Sequence, residues 1–144
     1  MSLRGEGAPA SHPARTLALV VAAVYLAVGI VGFLVTGFDR FAAVTGERLL
    51  GIFELNPLHN LVHIVVGVLG LALARTLAGA RTYGWILAAA YGVVFLYGLW
   101  AVGNRSGNIL SLNWADNILH LLTVLLGLLI ALWPSRAVTR DVRT

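Results

Sequence analysis

An all-α, four-helix transmembrane bundle built from two parallel helix-hairpin repeats is the fold this sequence predicts, and three observations carry the prediction. The 144-residue chain is 59% hydrophobic and 11% charged, where ordinary globular domains run to about 45–50% and about 25%; its mean hydropathy is +0.88. Four apolar runs account for the excess, each close to the ~20 residues that cross a hydrocarbon core about 30 Å thick. Finally, Asn56-Pro57-Leu58-His59-Asn60-Leu61-Val62-His63 is nearly copied 57 positions later by Asn113-Trp114-Ala115-Asp116-Asn117-Ile118-Leu119-His120.

Taken in order, residues 1–15 hold Gly, Pro, Ser, Ala and two arginines with little to bury, the composition of a disordered tail. The membrane domain is expected over 16–134. Its first run, 16–37, carries no charge; an apolar stretch of about 20 residues exceeds the ~7–15 of a signal-peptide core, so it reads as an uncleaved span. From Phe38 to Leu55 charges alternate with Phe41, Leu49, Leu50, Ile52 and Phe53. Such a segment is too charged to span and too apolar to float free, so it is expected on the membrane surface or folded over the bundle mouth.

The second span is placed at 57–75, with Asn56 as N-cap and Pro57 at the first helical position, where its missing N–H costs nothing. A short turn rich in small residues leads to a third span at 82–102. A second polar loop precedes the fourth, 114–133, which Pro134 ends. Residues 135–144 form a second tail.

All ten basic residues are arginines and there is no cysteine, which excludes disulfides, thiolate ligands and cysteine nucleophiles. The arginines flank apolar runs and form no basic face, so a nucleic-acid partner is excluded in favour of the lipid bilayer. The N-tail, the central turn and the C-tail hold seven of them, and the other two loops hold three, Arg40, Arg48 and Arg105. Arginine accumulates on the cytoplasmic side, so both termini are expected inside and both Asn/His motifs outside.

The duplication extends beyond the motif. Asn60 aligns with Asn117, His63 with His120 and Gly70 with Gly127, while Tyr25 and Gly32 match Tyr91 and Gly98 at a different offset. Parallel repeats in membrane proteins are related by an axis along the membrane normal, and their interface tends to hold the site. Positions i, i+3, i+4 and i+7 share one helix face, so Asn56, His59, Asn60 and His63 form one polar stripe and Asn113, Asp116, Asn117 and His120 another. A polar group facing lipid without a partner costs several kcal/mol; the stripes should therefore turn inward, His63 toward His120 and His59 toward Asp116.

Three chemistries fit that cluster. As a structural clasp, Asn56 and Asn113 cap helices, Asp116 complements a helix dipole and the remainder hydrogen-bond across the repeats. As a metal set, His59, His63, Asp116 and His120 supply four ligands for zinc or another imidazole-favouring divalent ion, with Asn60 and Asn117 orienting them. Non-covalent haem on His63 and His120 is a variant of that reading, since no CxxCH attachment motif exists. A proton or small-solute site is the third, but the inner halves of the spans offer almost no polar side chain apart from Thr123. No Glu follows His59 as in a helical metalloprotease motif, and nothing else marks an enzyme.

The run NPLHNLVHIVVGVLGL with the later NWADNILHLLTVLLGL resembles an uncharacterised family of small bacterial four-helix membrane proteins over Leu17 to Leu132. That resemblance implies four spans and a membrane location and supplies no activity, substrate or cofactor; the inner membrane is the expected location. A homo-oligomer or a membrane partner is a further expectation.

Overall fold

The computed structural model describes residues 12–134; both expected tails fall largely outside them. Among the described residues four helices follow one another: α1 (Pro13–Thr36), α2 (Pro57–Leu73), α3 (Leu77–Ala101) and α4 (Trp114–Leu132). Two two-residue strands, β1 (Arg48–Leu49) and β2 (Phe53–Glu54), interrupt the loop between α1 and α2. By length and composition α1, α3 and α4 are able to cross a membrane. Helix α2, with 17 residues, stands at the lower limit of about 17–25 for a span.

Local chemistry sets the helix ends. Helix α1 starts three residues before the expected boundary because His12, expected to be a solvated tail residue, is its N-cap: the imidazole accepts from the Ala14 N–H at 3.3 Å. Pro13 follows at the first helical position, and Gly37, with φ at 61°, ends the helix. Helix α3 also begins early, at Leu77 instead of 82, because the Thr76 hydroxyl accepts from the Gly79 N–H at 3.0 Å. Asn56 and Asn113 cap α2 and α4 through their Oδ1 atoms, at 2.9 Å from the His59 N–H and 3.0 Å from the Asp116 N–H.

Helices α1 and α2 pack as one hairpin and α3 and α4 as another. Small residues make both seams. The backbone of α1 at Ala22 and Leu26 lies directly over Gly67, and that of α3 at Gly84 and Ala88 lies directly over Gly127. Close backbone approach of this kind is how helices associate where lipid supplies no hydrophobic driving force. Each hairpin is also tied at its open end by an arginine. Arg15 Nε donates to the Ala74 carbonyl at 3.3 Å, and Arg81 donates to the Trp133 carbonyl at 2.7 Å. A cation at a helix C-terminus satisfies an orphan carbonyl and complements the dipole.

The hairpins meet along α1 and α3, with α2 against α3 and α1 against α4; α2 and α4 have no Cα pair within 8 Å. The core is a column of Ala18, Ala22, Tyr25, Tyr83, Leu87, Tyr91 and Ile130. Large apolar side chains such as Val93, Leu96, Leu125 and Leu34 stay exposed around the outside, as a lipid-facing surface requires.

Of the two placements expected for residues 38–55, the structure has the second. The strands pair Arg48 with Glu54 and Leu49 with Phe53, and Arg48 also bonds the Glu54 carboxylate at 3.0 Å. Leu50 and Gly51 turn the ribbon with φ of 55° and 71°, the backbone signature of a type I′ turn. The ribbon lies across the mouth of the bundle, touching α1 through β1 and α4 through β2.

Two asparagines join the hairpins there. Asn56 Nδ2 donates to the Ile109 carbonyl at 2.8 Å, and Asn113 Nδ2 donates to the Ile52 carbonyl at 2.7 Å. Replacing Asn113 by alanine removes a helix cap worth ~1 kcal/mol and a bond worth about 1 kcal/mol. A denaturant titration in detergent should therefore show a loss near ~2 kcal/mol for Asn113→Ala, and a change below about 0.5 kcal/mol for exposed Ser106→Ala, an ordinary surface substitution.

Candidate metal centre

Helix α2 carries Asn56, His59, Asn60 and His63 along the face turned to the bundle interior, and all four are buried. Helix α4 presents Asp116, Asn117 and His120 in the same way. The imidazoles of His59 and His63, one turn apart, have centroids 4.5 Å from each other; that of His120 lies 5.8 Å from His59. One nitrogen from each of the three comes within 4.8 Å of the other two.

Tyrosines form the floor. The Tyr25 ring meets His63 edge-on at 5.1 Å, Tyr91 sits 5.3 Å from His120, and the two tyrosines are 5.2 Å apart. Thr123 donates to the Leu119 carbonyl at 2.9 Å, so the Tyr25 hydroxyl, 2.6 Å away, is the donor to Thr123 Oγ1. The ceiling is the ribbon: Leu49, Leu50, Phe53 and Leu55 close a cavity of about 110 Å³ over the histidines.

The polar residues divide into two groups. Asn56 and Asn113 are engaged in caps and cross-hairpin bonds, and Asn60 Nδ2 donates to Thr36 Oγ1 at 2.9 Å. The Asn60 and Asn117 amides lie over Gly32 and Gly98, so closely that a Cβ on either glycine would strike them. Asn117 Nδ2 and Oδ1, Asn60 Oδ1 and the Tyr91 hydroxyl are buried without a hydrogen-bond partner; the histidines add to these, among the described residues, the one set of nitrogens close enough together to share an ion. Nδ1 of His59, of His63 and of His120 is buried without a hydrogen-bond partner. A buried polar group left so costs ~1–3 kcal/mol, and the three rings that carry these atoms are gathered in one cluster.

The expected pairing of His63 with His120 is present, and His59 joins them. Asp116 lines the same cavity, but its carboxylate accepts the Asn113 N–H at 2.9 Å and completes a capping box; it is not one of the converging ligand atoms. The cavity over the histidines, about 110 Å³, is smaller than the roughly 300–1,000 Å³ of pockets for sizeable ligands. Sequence reasoning offered a cover over the bundle mouth at residues 38–55 but counted neither its side chains nor Tyr25 and Tyr91 among the site residues. Their signals were the apolar spacing of Leu49, Phe53 and Leu55, and the aligned pair Tyr25 and Tyr91.

The sequence matches the family model described as Domain of unknown function (DUF4383) over residues 15–133. The chain belongs to that family. No curated protein and no solved structure matches it. What DUF4383 membership leaves open in this chain is the role of its buried histidine cluster.

Proposed function

We propose that this is a small multi-pass inner-membrane protein that holds one divalent transition metal ion, zinc in the first instance, on His59, His63 and His120. The observation that carries the reading is the convergence of three buried imidazoles, one nitrogen of each within 4.8 Å of the others, in a set where every Nδ1 is also without a hydrogen-bond partner. Zinc sites with three protein ligands and an open fourth position are the catalytic type, and the apolar cavity above the histidines is where that position would lie. The His59 ring also faces the backbone carbonyls of Leu110 and Glu54. A metal-bound imidazole commonly donates its second N–H to such a carbonyl, which fixes its orientation.

The clasp and the metal site are then separate devices: asparagines hold the hairpins, and histidines hold the ion. Two parallel hairpin repeats support this architecture. The cross-hairpin bonds Asn56 to Ile109 and Asn113 to Ile52 exchange places under the 57-residue offset, and the arginines that tie the hairpins, Arg15 and Arg81, stand at the 66-residue offset that relates Tyr25 to Tyr91. On this reading all four helices span, the termini are cytoplasmic and the histidines face outward. A proton path gains no support, because the core below Tyr25 and Tyr91 is alanine, leucine and isoleucine with Tyr83.

Elemental analysis of detergent-purified protein decides the matter. One equivalent of zinc or another divalent metal per chain is expected, removable by chelator and restored on addition. Protein that neither carries nor takes up metal at stoichiometric concentration leaves the histidines without this role.

A further inference from the structure

The histidines are shut in. His59, His63 and His120 are 4%, 6% and 2% exposed, so an ion reaches them only if something moves. The floor and the flanks offer no way in. Below stand Tyr25 and Tyr91, and under them the alanine, leucine and isoleucine of the core; at the flanks, α1 lies on α2 at Gly67 and α3 on α4 at Gly127 with no room for a Cβ. A cleft between α1 and α4 reaches His63, but its walls are Leu17, Val20, Val24 and Val28 and it opens between helices that face lipid. A hydrated divalent ion does not take that path, because shedding its water into hydrocarbon is prohibitively costly.

The roof is another matter. Among the described residues the cover over the cavity is the ribbon, through Leu49, Leu50, Phe53 and Leu55. Its base is fixed: the Leu55 N–H donates to the Glu47 carbonyl at 3.2 Å, the Thr45 hydroxyl donates to the Leu55 carbonyl at 2.8 Å, and Leu55 leads directly into the Asn56 cap of α2. Its turn stands in the open, with Leu50 80% exposed. Beside that turn Asn113 Nδ2 holds the Ile52 carbonyl at 2.7 Å. Gly46, next to Glu47 at the foot of β1, has φ at 78° and nothing within 4 Å of where a Cβ would lie, so the backbone has room to turn there. A base joined to α2 and a tip pinned to α4 by a side chain make a flap with a latch.

We propose that the β1–β2 ribbon is the gate of the metal site: it swings on its base when Ile52 leaves Asn113, and the ion passes between water and the histidines through the opened mouth. The proposal rests on the metal reading above and adds the route and what sets the rate. The face laid on the cavity is leucine and phenylalanine, which ligate nothing, so the open and closed ribbon leave the ion the same ligands. Opening of that kind scales filling and emptying by one factor and leaves the affinity where the histidines set it.

Zinc release under excess chelator tests the gate, on full-length detergent-purified protein loaded with zinc. The chain has no cysteine, so a Leu50→Cys, Leu119→Cys variant carries only the two introduced thiols. Both positions line the cavity, one on the ribbon and one on α4, and both are exposed to reagent. One portion is tied with a short bis-methanethiosulfonate; the other is capped at each thiol with methyl methanethiosulfonate. The capped protein should empty, and the tied protein should retain its zinc over the same period. Asn113→Ser keeps a capping oxygen and drops the amide donor. It should fill and empty about fivefold faster, the equivalent of one hydrogen bond, with affinity unchanged. Zinc-loaded protein that empties at one rate whether tied, capped or unlatched overturns the gate and leaves the metal site standing. An Asn113→Ser variant that loses affinity while filling at the original rate also overturns it, and protein that takes up no zinc removes site and gate together.

Discussion

His120→Ala is expected to lower metal affinity by more than a hundredfold, since even a group that only orients a metal ligand is worth roughly 10–100-fold. The histidine comes from the second hairpin and closes the set begun by His59 and His63 on the first, so its loss leaves two imidazoles on one helix turn. Both His59→Ala and His63→Ala should do the same. Asp116→Asn separates the three-histidine set from one that includes the carboxylate. Asp116 is committed to the Asn113 N–H, so the amide variant should keep its metal and lose only part of a helix cap. Isothermal titration of metal-stripped protein reads all four. Acid should act in the same direction as ligand loss, because imidazole must be neutral to bind and protons compete with the ion; retained metal should fall as the pH drops, and a flat profile would contradict histidine ligation.

The largest effect on stability is expected at Gly127. A Cβ there would stand 2.7 Å from the Gly84 carbonyl and 2.8 Å from the Ala88 nitrogen, both backbone atoms of the facing helix. Neither is able to swing aside, so the helices must separate. Overpacking typically costs ~1–3 kcal/mol and sometimes more, out of a total of about 5–15 kcal/mol. Gly127→Ala should lose stability in that range, and Gly127→Leu should give no monodisperse protein by gel filtration. Gly92, in the facing helix α3, has nothing within 4 Å of such a Cβ. Gly92→Ala should therefore cost nothing, which makes it a control for helix glycines in general.

Much of this architecture was legible because bilayer physics leaves few options. Runs of about 20 apolar residues become helices, since lipid offers the backbone no other hydrogen-bond partners, and stripes at i, i+3, i+4 and i+7 must turn inward. Asn56 and Asn113 could be recognised as caps for the same local reasons that make them caps in the structure. What escaped was chemistry set by tertiary position. His12 and Thr76 extend α1 and α3 by a few residues each, and cap geometry of this kind is decided by single hydrogen bonds that periodicity does not register. The cover over the bundle mouth was one of two placements expected for residues 38–55; its strands escaped, because two residues leave no alternation to read. Asp116 was expected as a metal ligand by residue type; in the structure its Oδ2 accepts from the Asn113 N–H at its own helix start.

The arginine ties at the open ends of the hairpins carry a consequence for the order of events at the ribosome. With Arg15 on Ala74 and Arg81 on Trp133, each half of the chain is shut at both extremities by neighbours in its own half. The leading half has what it needs to fasten itself while the trailing half is still being translated. The metal centre has no such independence: its third imidazole emerges with the last helix, so a captured ion would certify that both halves have been made and have found each other.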